Sequence, residues 1–389
     1  MTCDELPRVF ILSVGRHFGG AEKSLQALLP DLSRLAKVTL FACIERQVDE
    51  IRGMNLPNLE IIPMAIGNSP VAMLGNLWKL FRESRRRRPQ AILANGHRGS
   101  LILFLYRLLP GRPPTRDAVY VRDFAYDTFR WTLRGMRDVL FLAPTAAIFE
   151  HPPYRACGLA RLRHEVLPNA AKLPEGSTEA ADGPRFIGCC ARLVPWKGIE
   201  YLIEAFASIA ARNPDTRVRI YGEPIDEAYS ASLHRLAEKL GVADRVEFHP
   251  FAADMHAVYR QGLFFVIPSL SVLPGPESFS RIIIEAWAHA RPVIAFSCGG
   301  PRLLIEDGRD GFLVEERDVA QLAARMEELV ASPALTARLG QAGEGKARAL
   351  YSPAGIAREL LSRLLPATRD EAREPAPIPR TIQTAAHHE

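Results

Sequence analysis

The chain has 389 residues, which is long for one hydrophobic core, so two domains of ordinary size are expected. Hydrophobic residues make up 48% of the sequence and charged residues 24%, as is typical of a soluble globular protein. The net charge of +5 suits anionic partners such as nucleotide phosphates or a membrane surface, but it is too low for a dedicated nucleic-acid binder.

Six cysteines are scattered along the chain without CxxC or zinc-ligand spacing, which indicates reduced, mostly buried thiols in a cytoplasmic protein. The N-terminus has acidic residues before a short apolar run and lacks a basic start, so we interpret it as a first strand rather than a signal peptide. No segment reaches the roughly 20 apolar residues that cross a bilayer.

The N-terminal part opens with a strand, a glycine-containing loop and a helix. The strand is predicted from Arg8 to Val14, the loop contains Gly19 and Gly20, and the helix runs from Ala21 to Leu29. This order is the opening unit of a doubly wound α/β sheet, in which the first turn often approaches ligand phosphates. A glycine pair is also consistent with a turn that only needs a positive φ or close packing.

A further helix is predicted between Pro70 and Pro89, with an apolar face and a basic end. The apolar residues at helical spacing are Val71, Leu74, Leu77, Trp78 and Phe81, and the basic ones are Arg82 and Arg85 to Arg88. This pattern fits docking on anionic lipid. It also fits a core-packed helix whose arginines lie near its C-terminus.

Two candidate side chains follow strands of the N-terminal part, at the edge where open α/β sheets place ligands. His97 follows the strand Ala91 to Ala94, although a lone loop histidine is more often structural. Arg122 follows the strand Ala118 to Val121. Arginine stays protonated and cannot act as a general base, but it can bind a phosphate or a carboxylate through two hydrogen bonds.

Composition divides the chain into five parts. Residues 174–184 are polar, contain proline and glycine and lack periodicity, which predicts a linker between domains at 1–173 and 185–350. An amphipathic helix is predicted within 351–366. The tail 367–389 has few large apolar residues and is predicted to be disordered.

The second domain begins with a strand, Arg185 to Ala191, followed by a loop that contains Arg192 and Lys197. Two fixed cations can stabilise the negative charge of a departing diphosphate without a metal. The alternative is a pair of solvated loop cations. Gly222 and Glu223 form the turn after the next strand.

Glu277 and Glu285 are predicted to lie at the start of and inside one apolar helix. If both are helical, they lie about 12 Å apart along the axis. The backbone N–H groups of Ser278, Phe279 and Ser280 would then be free at the helix start and would favour an anion. The spacing alone also fits a surface helix with two solvated acids.

Several motifs in register resemble those of retaining glycosyltransferases of family 4, the E-x7-E glycosyl transferases group 1. They are Glu277 and Glu285, Pro292-Val293-Ile294-Ala295, Gly299-Gly300, Asp307-Gly308 and Gly311, together with the loop and helix ARLVPWKGIEYLIEAF. The resemblance implies an α/β GT-B fold, in which two Rossmann-like, doubly wound domains face a central cleft. It also implies that the N-terminal domain binds the acceptor, that the C-terminal domain binds the nucleotide sugar, and that the helix within 351–366 packs back on the N-terminal domain.

The implied activity is retaining transfer of a sugar from a UDP- or GDP-sugar to an acceptor hydroxyl, with no metal or other cofactor. The candidates for catalysis by this resemblance are Glu277, Arg192, Lys197, Arg122 and His97. Those for donor binding are Gly19, Gly20, Arg192, Lys197, Gly222, Glu223, Ser278, Phe279, Ser280 and Glu285. Glu277 would orient the donor sugar and Glu285 would bind the ribose.

The implied partners are a nucleotide sugar and a glycan or lipid-linked acceptor, in cell-surface polysaccharide, lipopolysaccharide or glycolipid synthesis. The implied location is cytoplasmic, with peripheral contact to an anionic membrane at the inner face of the plasma membrane. No nucleic-acid partner is expected.

The chain departs from the family pattern at several positions. Ser278 and Ser280 replace glycines of an EGFG motif, Arg122 stands where many relatives carry a histidine, and Leu303 stands where a glutamate often occurs. Two alternatives therefore stay open: a nucleotide-binding GT-B scaffold or partner subunit that has lost transfer, and a GT-B enzyme of different chemistry, such as a sugar-nucleotide epimerase.

Overall fold

The computed structural model describes residues 6–15, 19–66, 69–122, 124, 135–174, 186–252, 254–272 and 277–365. The chain divides into two compact units, residues 1–171 with 352–389 and residues 172–351. Most of the predicted linker at 174–184 and the whole predicted tail at 367–389 lie outside the described residues.

The N-terminal unit contains a parallel sheet of seven strands in the order β3-β2-β1-β4-β5-β6-β7. The strands are β1 Arg8–Ser13, β2 Lys37–Ala42, β3 Leu59–Pro63, β4 Ala91–Asn95, β5 Arg116–Tyr120, β6 Leu140–Ala143 and β7 His164–Val166. Both faces of β1 are buried, with Phe10 and Leu12 in one apolar cluster and Val9 and Ile11 in another. This alternation explains why the strand is a continuous apolar run in the sequence.

Six described helices accompany this sheet before the second unit begins. They are α1 Gly20–Leu35, α2 Glu45–Gly53, α3 Pro70–Arg87, α4 His97–Arg107, α5 Ala147–Glu150 and α6 Pro152–Ala156. The start of α3 is fixed by Ser69, whose hydroxyl accepts a hydrogen bond from the Ala72 amide at 3.2 Å. Strand order reverses between β1 and β4, the position at which open parallel sheets form a ligand crevice.

The C-terminal unit contains a parallel sheet of six strands in the order β10-β9-β8-β11-β12-β13. The strands are β8 Phe186–Cys190, β9 Val218–Tyr221, β10 Val246–His249, β11 Gly262–Ile267, β12 Val293–Phe296 and β13 Gly311–Val314. Its helices are α7 Ile199–Ala210, α8 Glu227–Lys239, α9 Met255–Gln261, α10 Arg281–Trp287, α11 Gly299–Leu304, α12 Val319–Ala331 and α13 Pro333–Leu350. The two parallel sheets with flanking helices confirm the predicted α/β class of two Rossmann-like domains.

The last described helix, α14 Pro353–Leu364, belongs to the N-terminal unit. Its buried residues Ile356 and Leu360 lie in the same apolar cluster as Leu25 and Leu28 of α1. Among the described helices, none has both the length and the apolar character needed to cross a bilayer.

Candidate functional site

The loop after β8 is fixed in place by its own glycine and by the loop after β11. Gly198 has a φ of +62°, and an added Cβ there would lie 2.1 Å from the carbonyl oxygen of Pro268. The Leu270 amide donates a hydrogen bond to the Trp196 carbonyl at 2.9 Å. Strand order reverses between β8 and β11, so this loop lies at the switch point of the C-terminal sheet.

Lys197 and Glu277, which are 80 residues apart, form an ion pair within the C-terminal unit. The ammonium group contacts the carboxylate directly and lies 4.1 Å from the centroid of the Trp196 ring. Both side chains are mostly buried, at 11% and 14% exposure, so the pair is shielded from bulk water. Arg192 lies in the same loop, is exposed and has no ion-pair partner in the described part of the chain.

The expectation that Glu277 lies at the start of a helix is wrong. Helix α10 begins at Arg281, so Ser278, Phe279 and Ser280 precede the helix and do not supply its first free amides. The estimate of about 12 Å along one helix axis therefore does not apply. The reason is a tertiary contact, because the Gly300 amide donates a hydrogen bond to the Glu277 carbonyl at 2.6 Å.

The Gly299-Gly300 turn allows the segment that carries Glu277 to approach the start of α11. A Cβ at Gly300 would lie 2.6 Å from both Cα and N of Phe279, so only glycine fits this contact. Phe279 is buried and contacts the Tyr351 ring edge-on, at 5.9 Å between centroids. Phe279 therefore anchors the segment rather than facing solvent.

Ser280 is held in a backbone conformation that favours glycine. Its φ is +58° and its ψ is 86°, in the left-handed region. The hydroxyl is buried and has no hydrogen-bond partner among the described residues. Ser280 therefore carries both backbone strain and an unsatisfied polar group at a position where the family pattern has glycine.

Glu285 lies inside α10, and both of its carboxylate oxygens accept hydrogen bonds. The Tyr259 hydroxyl donates to Oε2 at 2.7 Å, and Arg281 donates to Oε1. Tyr259 is buried and stacks on the His289 ring, with 5.4 Å between centroids and 27° between planes. Burial, followed by the nearby charge of Glu285, raises the pKa of Tyr259 well above its ordinary value, so the hydroxyl stays a donor. Sequence reasoning missed Tyr259 because a tyrosine in a short helix carries no spacing signal.

Gly222 and Glu223 support the loop that carries Arg192. A Cβ at Gly222 would lie 1.7 Å from the Ala191 carbonyl oxygen, so β8 and β9 end in very close contact. The Glu223 carbonyl accepts a hydrogen bond from Leu193 at 2.9 Å, while the Glu223 residue is exposed. The described contacts of this turn are thus made by its backbone.

The other predicted residues belong to the N-terminal unit. Gly19 immediately precedes α1, and its amide donates to the Glu22 carboxylate at 3.0 Å, while Gly20 is the first residue of that helix. His97 is the first residue of α4, after Gly96 with a φ of +86°. These residues lie at the carboxyl edge of β1 and β4.

Arg122 is a buried side chain, only 5% exposed, that joins three segments of the N-terminal unit. Its guanidinium donates to Asn95 Oδ1 at 2.8 Å, to Ser24 Oγ at 3.3 Å and to Asn169 Oδ1. It also lies over the Tyr120 ring, 3.4 Å from the centroid. These contacts give Arg122 a role in fixing the carboxyl edge of this sheet.

Comparison with known proteins identifies relatives of the C-terminal unit. The model of the family described as glycosyl transferases group 1 matches residues 175–346. D-inositol 3-phosphate glycosyltransferase of Streptomyces avermitilis is 35% identical over 181 residues, which cover 44% of this chain and 37% of that protein. Mannosylfructose-phosphate synthase of Agrobacterium fabrum is 33% identical over 178 residues, 44% of this chain and 38% of that protein. The chain thus spans less than half the length of these relatives.

Solved structures extend the likeness to both units. The structure of Anabaena HepE in complex with UDP and glucose has a TM-score of 0.75 at 19% identity and covers 92% of this chain and 99% of that one. The lipopolysaccharide outer core galactosyltransferase WaaB has a TM-score of 0.69 at 15% identity and covers 92% and 98%. At such identities the likeness establishes the fold. The C-terminal unit of this chain is therefore similar to the glycosyl transferases group 1 family, and the chain as a whole has the GT-B fold.

Proposed function

We propose that the protein is a retaining glycosyltransferase that moves a sugar from a UDP- or GDP-sugar to an acceptor hydroxyl. The observation that carries this proposal is the Lys197–Glu277 ion pair at the switch point of the C-terminal sheet, with Arg192 exposed in the same loop. A cation and a carboxylate in contact at this edge suit a ligand that has both phosphates and hydroxyl groups.

The cations would act on the leaving group. Departure of a nucleoside diphosphate builds negative charge, which Arg192 and Lys197 would stabilise in the transition state. Because these two side chains supply the positive charge, the proposed reaction needs no metal. A bound diphosphate would also compete with Glu277 for Lys197, which would leave the carboxylate able to accept hydrogen bonds from the sugar.

Glu285 would bind the ribose hydroxyls of the donor. Tyr259 and Arg281 each donate to one of its oxygens, and a carboxylate oxygen can accept more than one hydrogen bond. Retention would follow if the acceptor attacks the face from which the diphosphate departs and the diphosphate helps to take the proton. Exclusion of water would then favour transfer over hydrolysis.

The acceptor would bind to the N-terminal unit, near His97 and the residues that Arg122 contacts. The similarity to a lipopolysaccharide outer core galactosyltransferase supports a glycan or glycolipid product. HepE, whose structures contain UDP and UDP-glucose, supports UDP as the donor nucleotide. We place the protein in cell-surface polysaccharide, lipopolysaccharide or glycolipid synthesis, at the inner face of the plasma membrane.

Ser280 favours a second candidate function, a nucleotide-binding scaffold without transfer. Its strained backbone and buried hydroxyl lie five residues before Glu285 and three after Glu277, where a displaced segment would impair the reaction. Such a protein would bind a nucleoside diphosphate and turn over no donor.

Proton NMR of UDP-glucose and GDP-mannose incubated with the purified protein separates these functions. Without an added acceptor, water takes the sugar, and we expect slow hydrolysis of one donor to the free sugar and its nucleoside diphosphate, slowed about 100-fold further by Lys197→Ala. Arg235→Ala, an exposed substitution in α8, serves as the control and should leave the rate unchanged. Diphosphate binding without any release would favour the scaffold, and appearance of an epimeric sugar nucleotide would indicate the epimerase chemistry.

A further inference from the structure

One side of α3 exposes large apolar side chains that the core does not cover. Val71 is 80% exposed, Leu74 65% and Trp78 58%. At about 100° per residue these three positions lie within about 60° of the helix circumference. On the opposite side Leu80 and Ser84 are fully buried. The apolar residues of α3 thus lie on two sides of the helix, and only one side is buried against the rest of the unit.

Arginines continue the same exposed side toward the end of α3. Arg82 and Arg85 fall within about 40° of Val71 when viewed down the helix axis. Both are exposed, and the Arg82 guanidinium lies over the Trp78 ring at 4.7 Å. The exposed side of α3 is therefore apolar in its first half and cationic in its second half.

Glu83, the acidic residue among the arginines at the end of α3, is buried. Glu83 is only 3% exposed and accepts hydrogen bonds from Arg82, Arg86 and Arg87. Arg87 also binds Glu60. Five arginines, at positions 82 and 85 to 88, against these two glutamates leave a local charge of +3.

Positive charge extends from this end of α3 to the amino-terminal ends of β1 and β2. A cavity there is lined by Arg8, Phe10, Lys37, Thr39, Arg86 and Arg87. A cationic surface of this width is more complementary to a plane of lipid phosphates than to a single acidic side chain of a partner.

We propose that the exposed side of α3 docks on an anionic phospholipid membrane. Val71, Leu74 and Trp78 would enter the boundary between headgroups and acyl chains, where tryptophan is favoured. The arginines would lie against the lipid phosphates, with their stems along the apolar surface. Charge complementarity along one rigid helix, whose start Ser69 caps, argues for this occupant.

The docking surface deepens the proposed function, because a lipid-linked acceptor would lie in the same membrane. Membrane docking by α3 depends on exposure and charge in the N-terminal unit alone. Donor binding is measured in solution without lipid. A protein that fails to bind vesicles can therefore still bind the donor, and a protein that fails to bind the donor can still bind vesicles.

Co-sedimentation with vesicles tests the surface. The vesicles consist of phosphatidylcholine alone or with about a third of phosphatidylglycerol. We expect binding only to the anionic vesicles. Arg85→Gln with Arg88→Gln should weaken it about 25-fold at low salt, since each cation near the surface contributes about fivefold. Leu74→Ser with Trp78→Ser should weaken it about tenfold or more.

Arg235→Gln with Arg338→Gln is the matched control, because it removes the same charge from exposed positions of the C-terminal unit and should leave binding unchanged. Circular dichroism establishes that each variant is folded. The proposal is overturned if the wild-type protein does not bind anionic vesicles, or if folded variants of α3 bind them as well as the control does. It is also overturned if sedimentation velocity shows that Leu74 and Trp78 mediate self-association while the variant still binds vesicles.

Discussion

The Tyr259 hydroxyl donates a hydrogen bond to Oε2 of Glu285 at 2.7 Å. The two residues are 26 positions apart, on α9 and α10, and the tyrosine is buried. With Arg281 on the other oxygen, this contact fixes the direction in which Glu285 can receive further hydrogen bonds. We therefore expect Tyr259 to position Glu285 for the ribose.

Tyr259→Phe should weaken UDP binding about tenfold, because it removes one hydrogen bond to a charged group. The loss should disappear with 2′,3′-dideoxy-UDP, which lacks the hydroxyls that Glu285 would bind. Calorimetry on both proteins with both ligands measures this coupling.

Tyr351→Phe is the control for that experiment, since Tyr351 is also buried and its hydroxyl has no hydrogen-bond partner in the described part of the chain. It should leave the affinity for UDP unchanged. Equal losses for UDP and the dideoxy analogue in Tyr259→Phe would show a general structural effect and count against the positioning role.

Ser280→Gly should stabilise the protein by about 1 kcal/mol. It relieves a φ of +58° and removes a buried hydroxyl without a described partner, while glycine costs some chain entropy. Urea unfolding measures the change, and Ser278→Gly is the control because Ser278 lacks a positive φ. A less stable Ser280→Gly protein would mean that the hydroxyl makes a favourable contact in solution.

Gly198→Ala should destabilise the C-terminal unit by about 2–4 kcal/mol. The new Cβ would meet the Pro268 carbonyl oxygen at 2.1 Å, in addition to the cost of a φ of +62°. Gly241→Ala isolates the second cost, because Gly241 has a φ of +68° with nothing within 4 Å, and about 1 kcal/mol is expected there. Thermal unfolding compares the two, and equal losses would be inconsistent with close contact between the loops after β8 and β11.

His289 should make the protein less stable in mild acid. Burial lowers its pKa below the ordinary value of 6.5, so near and below that pH the unfolded chain binds more protons than the native one. His256 and Arg291 disfavour its charge further, while the Glu285 carbonyl, which accepts from Nδ1 at 2.8 Å, opposes this. The free energy of unfolding is therefore not reduced by His289 above about pH 6.5, and it decreases as the pH falls below that value.

Urea midpoints between about pH 7 and pH 5 measure this loss. His289→Asn removes the titrating group and should flatten the dependence over that range. An unchanged slope in the variant would show that other groups account for the acid sensitivity.

The sequence predicted most strands well because parallel strands buried on both faces are continuous apolar runs. The strand predicted from Arg8 to Val14 is found as Arg8–Ser13, and the strand predicted from Arg185 to Ala191 is found as Phe186–Cys190. These elements depend on local composition, which a sequence displays directly.

Features that depend on distant contacts could not be predicted in the same way. The segment from Glu277 to Ser280 leaves the helix because of a hydrogen bond from Gly300 and a positive φ at Ser280, neither of which a periodic pattern reveals. Periodicity likewise showed that α3 has apolar residues at helical spacing, but not that Leu74 and Trp78 remain uncovered.

The most direct test of the proposed donor site is calorimetric titration of the purified protein with UDP, GDP and ADP, beside Glu285→Ala and Lys197→Ala. We predict that one diphosphate binds selectively and that each substitution weakens it by about 1.5–3 kcal/mol, roughly 10- to 150-fold. Binding of none of the three to folded wild-type protein would contradict the account.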